Sequence, residues 1–309
     1  MIKYVLRRVL FLIPVLFGVT FIVFTLMYIT PGDPAKLILG EQASADTIQA
    51  LRQEMGLDQP YLVQYATYVK KALLHQDIGR SYVTNRPVMQ EIMGVFPATF
   101  QLAIAAMLVA ILIGIPVGII SAIKQYSIFD TVSMLIALLG VSMPVFWLGL
   151  LLIILFTVKL GWLPASGFTS VKHMIMPALA LGAMTAAIVT RMTRSSMLEV
   201  IRQDYIRTAR AKGQNESVVV LKHALGNALI PIIAVVGLQF GHLLGGAVLT
   251  ESIFSIPGVG RLMVDSIKMR DFPVVQGGVL FIALSFSLIN LLVDLLYAYV
   301  DPRIRSQYK

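Results

Sequence analysis

The stretch Arg191–Lys222, RMTRSSMLEVIRQDYIRTARAKGQNESVVVLK, interrupts a chain that otherwise reads as mostly membrane-grade apolar sequence. It holds seven of the 25 Lys and Arg residues: Arg191, Arg194, Arg202, Arg207, Arg210, Lys212 and Lys222. Long apolar runs flank it, so it reads as a loop between two membrane spans, with more charge than a bare connector needs. Inside it, Asp204–Gly213 has the form of a short helix. Asp204 is placed to cap its start, Lys212 sits in its last turn, and Gly213 fits the left-handed position past its end. Asn215-Glu-Ser217 offers a second start before Val218-Val-Val-Leu221. The expected form is two short helices joined at Gly213, with Ile206, Ala209 and Val218 along an apolar edge and Ala209 and Ala211 small enough for close approach to a partner groove. The segment Tyr205, Ile206, Arg207, Thr208, Ala209, Arg210, Ala211, Lys212 and Gly213 therefore reads as a docking surface.

Working outward, 57% of the 309 residues are hydrophobic and 13% charged, and the mean hydropathy is +0.81. These values lie outside the range of soluble domains and predict an integral membrane protein. Continuous apolar runs rather than alternating ones predict an all-α fold. The absence of cysteine excludes disulfides, thiolate metal sites and a cysteine nucleophile. The basic start Met1–Arg8 precedes an uncharged run, Val9–Thr30, that is too long for a signal-peptide core and lacks a small-residue cleavage site, so it reads as a retained first span.

Six runs can span a bilayer: Val9–Thr30, Thr99–Ile123, Thr131–Val158, Met174–Thr190, Asn227–Leu249 and Val275–Val300. The third is longer than a crossing needs and reads as tilted or partly interfacial; the fourth, rich in Ala and Gly, suits a tightly packed span. Pro31–Pro97 reads as a small water-exposed subdomain with helical segments at Thr47–Met55, Gln64–Leu74 and Val88–Met93. The chain divides into residues 1–96, the first span plus this subdomain, and residues 97–309, which carry the other spans and the basic loop 191–226. With both termini cytoplasmic, the inner segments hold 14 Lys and Arg against 5 in the short outer loops. Topology thus accounts for the net charge of +9 and removes the case for nucleic acid as a partner.

Gly237, Gly241 and Gly245 form a stripe on one face of the fifth span, and Gly114 and Gly118 do so in the second. Such stripes allow helices to approach closely, either within the chain or against a partner subunit. Asp294 is the clearest acid within a span; near the cytoplasmic end it reads as structural or interfacial rather than as an ion relay. His242 reads as a packing or hydrogen-bonding residue. Ala165-Ser166-Gly167 superficially resembles a nucleophile site, but the last span has no histidine to serve an intramembrane protease. No phosphate-binding Gly-x-x-x-x-Gly-Lys-Ser/Thr loop occurs, so ATP and Mg, if used, belong to another polypeptide.

Arg207-Thr-Ala-Arg-Ala-Lys-Gly213 followed by His223-Ala-Leu-Gly-Asn-Ala-Leu-Ile-Pro231 resembles the cytoplasmic-loop signature of ABC importer permeases, in particular the dipeptide/oligopeptide/nickel branch. The general signature carries Glu-Ala-Ala where this chain has Arg207-Thr208-Ala209, a departure shared by that branch. Pro31-Gly-Asp-Pro34, Gly56-Leu-Asp-Gln-Pro60, Asp77-Ile-Gly-Arg-Ser81, Val141–Trp147, Leu160–Gly167, Thr193–Leu198, Glu251–Gly258, Asp271–Gln276 and Asp301–Arg305 are also similar to that branch. The resemblance implies a type I importer permease of six transmembrane helices in a bacterial or archaeal cytoplasmic membrane, without an ATPase site of its own. It also implies a second homologous permease, two ATP-binding subunits and an extracytoplasmic solute-binding protein, the last meeting the outer subdomain and Glu251–Gln276. A secondary transporter driven by an ion gradient is the alternative; it would call for several buried ionisable groups and broken helices at mid-membrane.

Overall fold

The computed structural model describes residues 2–40, 42–75 and 77–300; the Asp301–Arg305 segment and the basic C-terminal tail lie outside the described residues. Helix α1 (Ile2–Ile29) is the first span. Three short helices follow: α2 (Pro34–Leu39), α3 (Ala45–Glu54) and α4 (Tyr61–His75). Asp33 caps α2 through the Ala35 N–H, and Ser44 caps α3 through the Thr47 N–H, each satisfying a donor that a helix start leaves free. Helix α4 lies along α1, with Tyr61 and Tyr65 hydroxyls on Thr25 and Thr20 and their rings against Phe21 and Phe24.

Helix α5 (Val88–Ile123) has 36 residues, about 54 Å at ~1.5 Å each, well beyond a hydrocarbon core of ~30 Å. The segment Val88–Met93, expected as a separate outer helix, is its first turns, and the division at 96/97 falls inside it. Beyond it come α6 (Ile128–Ser142) and α7 (Val145–Leu152), the latter continuing as a π-helical turn, Ile153–Lys159. The expected single tilted span Thr131–Val158 is corrected here: α6 and α7 meet at an angle of 104°. Pro144 is the cause, since a residue preceding proline is driven out of the helical region, and Met143 has ψ 124°.

Helix α8 (Val171–Ile201) also outruns its expected span, Met174–Thr190, and takes the first third of the basic stretch with it. Helices α9 (Asp204–Ala211) and α10 (Glu216–Val218) follow, then a π-helical turn, Val219–Ala224, that runs into α11 (Leu225–Gly246). Helices α12 (Val248–Ile253) and α13 (Val259–Lys268) precede the last span, α14 (Phe272–Val300). Among the described residues there are five uninterrupted helices long and apolar enough to cross a membrane, or six crossings if the bent α6–α7 pair counts as one. No strand occurs among them, only the isolated bridge Arg80–Pro87.

The α5–α8 pair is the most extensive contact and the centre of the fold. A Cβ on Gly118 would stand 2.6 Å from the Thr193 side chain, and one on Gly114 or Gly182 would stand 2.9 or 2.8 Å from the backbone carbonyl oxygen of Ala186 or Ala106. The Gly237, Gly241 and Gly245 stripe is likewise taken up inside the chain, against Val293, Phe286 and Ile282 of α14. Substituting Gly118→Val overpacks the α5–α8 contact and is expected to lower stability by about 1–3 kcal/mol. The control Gly94→Val, whose Cβ meets nothing within 4 Å, is expected to change it by less than about 0.5 kcal/mol. Thermal unfolding of the two variants in one detergent checks the difference.

Candidate functional site

The expected loop 191–226 is largely helical, because α8 continues to Ile201 before the chain turns through Arg202 and Gln203 into α9. Gln203, not Asp204, occupies the N-cap position of α9 and makes no side-chain cap. Asp204 lies in the first turn, where a carboxylate still complements the positive end of the helix. The helix ends as its sequence demands. Gly213 has φ +71°, the Gly213 N–H donates to Arg210 O at 2.9 Å, and the Gln214 N–H donates to Ala209 O at 3.4 Å. These two bonds are the paired closure of a Schellman turn, which needs a residue free to take positive φ. Asn215 then caps α10 by accepting from the Ser217 N–H at 3.1 Å.

The apolar edge expected to face a partner faces the protein's own spans instead. Ile206 and Ala209 are buried among Ala122, Met197, Val219, Val220 and Ala224, whereas Val218 is exposed and outside this cluster. The two inward residues of α9 anchor it to the ends of α5, α8 and α11. Tyr205, Arg207, Thr208, Arg210, Ala211, Lys212 and Gly213 form the outward side. Arg210 grips Glu216 through Nε at 3.1 Å and Nη2 at 2.6 Å, closing the turn at Gly213 from outside.

Of the seven basic residues counted in the stretch, Arg194 does not belong to this surface. Its guanidinium makes a two-pronged pair with Asp130 of α6, at 2.6 and 2.7 Å. Asp130 is buried, and it also accepts from the Ser121 hydroxyl and from the Tyr126 N–H at 2.9 Å. The knot ties α5, α6 and α8 at the end beside α9, and Arg202 reaches Gln125 of the adjoining turn at 3.5 Å.

A second buried acid lies at the other end of α5, and sequence reasoning had placed it only within an outer loop. The Glu251 side chain is fully enclosed and accepts from the Thr99 hydroxyl at 2.6 Å and from the Arg261 N–H at 3.0 Å. Thr99 in turn accepts from the Val259 N–H at 2.9 Å. The carboxylate thus caps α13 from another element, and Gly258 and Gly260 leave room for it. Burial pushes the Glu251 carboxyl upward, while the hydrogen bonds from Thr99 and the α13 backbone pull the other way. The available signal was Glu251 upstream of Pro257-Gly258-Val-Gly260, but its partner Thr99 lies 152 residues away. Two other distant segments meet nearby: Asp271 accepts from the Ser81 hydroxyl and, at 2.9 Å, from the Tyr82 N–H.

Asp294 is half-buried on the last turns of α14, and His242 sits on α11 with its ring 5.4 Å from that of Phe286. His173 bonds to Ser170 at 2.9 Å rather than to Ser166. Among the described residues no group of three or more His, Cys, Asp or Glu could hold a metal ion.

Residues 114–306 match the family model described as binding-protein-dependent transport system inner membrane component, and residues 1–103 match the N-terminal model of such components. The dipeptide transport system permease protein DppB of Alkalihalophilus pseudofirmus is 51% identical, with 99% of this chain and all of that protein aligned. The glutathione transport system permease protein GsiC of Escherichia coli K12 is 50% identical, with 99% of both chains aligned. In fold, the chain is similar to a subunit of the inward-facing MetNI methionine ABC transporter, with TM-score 0.59 and 21% identity over 69% of this chain and 97% of that one. An amino acid ABC transporter gives TM-score 0.52 and 16% identity over 70% and 94%.

Substituting Asp130→Asn strips one partner from a buried ion pair and is expected to destabilise the protein near the lower end of about 3–5 kcal/mol, since Arg194 retains some access to water. The double variant Asp130→Asn/Arg194→Met is expected to recover part of the loss. Unfolding midpoints of the single and double variants measure the coupling.

Proposed function

The chain belongs to the family of binding-protein-dependent transport system inner membrane components, and from that premise we propose that it forms half of the transmembrane pathway for peptides in an ABC importer. Permease function follows from the family, and it displaces the ion-gradient alternative. The peptide substrate rests on one observation: relatives about half identical from end to end carry names that specify dipeptide and glutathione transport. Both solutes are short peptides with free carboxylates.

On this reading a second, homologous permease completes the pathway, and a solute-binding protein delivers the peptide to the outer subdomain and the Glu251–Gln276 region. ATP and Mg are bound by two cytoplasmic subunits and not by this chain. The outward side of α9, from Tyr205 to Gly213, sits in a groove on one of them. Its inner side supports that role: with Ile206 and Ala209 locked against α5, α8 and α11, a displacement of α9 is passed to the spans rather than absorbed by a loose loop. ATPase closure then shifts the population between inward- and outward-open pathways. Both termini are cytoplasmic, as the charge asymmetry requires.

Gly213→Val tests the coupling surface. A Cβ there meets nothing within 4 Å, so the substitution acts on the backbone alone. Forcing a branched residue into the left-handed region costs on the order of 1–2 kcal/mol. The expected outcome is normal insertion and abundance with weakened ATPase co-purification or uncoupled ATP hydrolysis, and lost dipeptide uptake. Unchanged uptake and unchanged ATPase binding would reduce α9 to a topological anchor. Reporter fusions near Lys212 and Glu54 are expected to read cytoplasmic and external respectively; a cytoplasmic signal at Glu54 would reverse the orientation.

A further inference from the structure

A groove of about 360 Å³ runs along α6 where its first turns meet Arg194 of α8. Its lining is sorted by polarity. Tyr126, Asp130 and Arg194 stand at one end, and Met134, Leu135 and Leu138 continue from there along one face of the helix. Leu138 lies about 12 Å beyond Asp130 at ~1.5 Å per residue, within the ~15 Å that the hydrocarbon of one leaflet occupies. A polar end followed by an apolar track of that length matches a lipid, headgroup to tail.

The polar end carries donors that its internal pair does not use. Asp130 engages Nε and Nη2 of Arg194 at 2.6 and 2.7 Å, one N–H from each, which leaves the rest of the guanidinium's five N–H groups. The Arg194 side chain is 22% exposed and that of Asp130 only 4%, so the cationic member of the pair is the one an occupant can reach. Asp130 offsets the charge of Arg194, but the α5–α6 turn brings two further cations. Lys124 stands two residues before Tyr126, and Arg202 donates to Gln125 Oε1 at 3.5 Å; both are exposed.

The turn also has the character of a membrane surface. Tyr126 and Ile128 are each 84% exposed, a phenol and a bare aliphatic chain beside a lysine. Tyrosine at the headgroup level, with its ring toward the acyl chains and its hydroxyl toward water, is an interfacial anchor. Further along α6, Leu135, Leu138 and Leu139 are more than half exposed. The groove is continuous with this apolar face, and its basic mouth complements an anionic headgroup.

We propose that this groove binds one anionic phospholipid from the leaflet on the α9 side of the membrane. Its phosphate accepts from the Arg194 N–H groups that Asp130 leaves and from the Tyr126 phenol. Lys124 and Arg202 surround the headgroup, and one acyl chain lies along Met134, Leu135 and Leu138. Basic pockets between membrane helices on the cytoplasmic side recognise such headgroups, and the charge asymmetry puts α9 on that side. The lipid then bears directly on the Asp130–Arg194 knot that ties α5, α6 and α8. The inference is independent of which solute is carried.

The probe is dioleoyl phosphatidylglycerol, titrated into the assembled transporter in detergent and counted by native mass spectrometry, with dioleoyl phosphatidylcholine as the zwitterionic reference. Phosphatidylglycerol is expected to bind at least about fivefold more tightly, since each Lys or Arg near an anionic membrane surface contributes ~1 kcal/mol. Lys124→Gln/Arg202→Gln is expected to abolish that preference. Lys159→Gln/Lys172→Gln, which removes two exposed cations at and before the start of α8, is expected to keep it. Unfolding midpoints matched to the parent exclude misfolding. The chain has no cysteine, so Leu135→Cys can be labelled alone with a benzophenone maleimide, and it is expected to cross-link lipid in nanodiscs that contain phosphatidylglycerol. Equal binding of the two lipids, a preference that the first pair keeps, or one that both pairs lose equally overturns the proposal. So does displacement of the lipid by inorganic phosphate, which marks a phosphate site. A cross-link from position 135 to the second permease also overturns it, because the groove would then be a subunit contact.

Discussion

Everything in this molecule hangs on how closely α5 and α8 approach. Glycines at 114, 118 and 182 remove the side chains that would hold the two helices apart, so the backbone of each meets the other helix directly. Inside a bilayer there is no hydrophobic drive to bring helices together, because lipid tails are as apolar as the side chains. Contact must come from tight packing. The remaining elements use this pair as a post. The α6–α7 bend leans on one side of α8, α11 packs across both helices, and α14 is held to α11 by a second set of glycines.

Each end of the post carries a buried acid, and the two are stabilised differently. Asp130 is neutralised by the planar fork of Arg194, a geometry suited to a carboxylate. Glu251 accepts instead from a hydroxyl and from the backbone N–H groups at the start of α13. The first knot fixes the turn beside α9; the second fixes α12 and α13 against α5. Helix α5 runs without interruption from the side of one knot to that of the other.

The chain's own roles for its basic residues also divide. Arg194 is structural, Arg210 closes the Gly213 turn through Glu216, and Arg207 and Lys212 remain on the outward side. Counting charges cannot say which cations are spent on internal pairs. The same holds for the apolar residues of α9: Ile206 and Ala209 have the spacing of a docking edge, and that spacing is equally the spacing of an anchor.

Several features were legible in the amino-acid sequence because their causes are local. Apolar run length set the spans, proline and glycine set turns, and the helix stop at Gly213 follows from the freedom of one residue to take φ +71°. The family resemblance likewise lay in contiguous segments. What required the tertiary structure depends on partners remote in the chain. Whether the Gly237–Gly245 stripe serves the chain or a neighbour was decided by Val293, Phe286 and Ile282. Whether Thr131–Val158 runs straight was decided at Met143-Pro144, a local signal outweighed in reading by the apolar run around it. Glu251 with Thr99 and Asp271 with Ser81 each join residues remote in the chain. Periodicity along one helix tells which face is apolar, but only packing in three dimensions determines what that face meets.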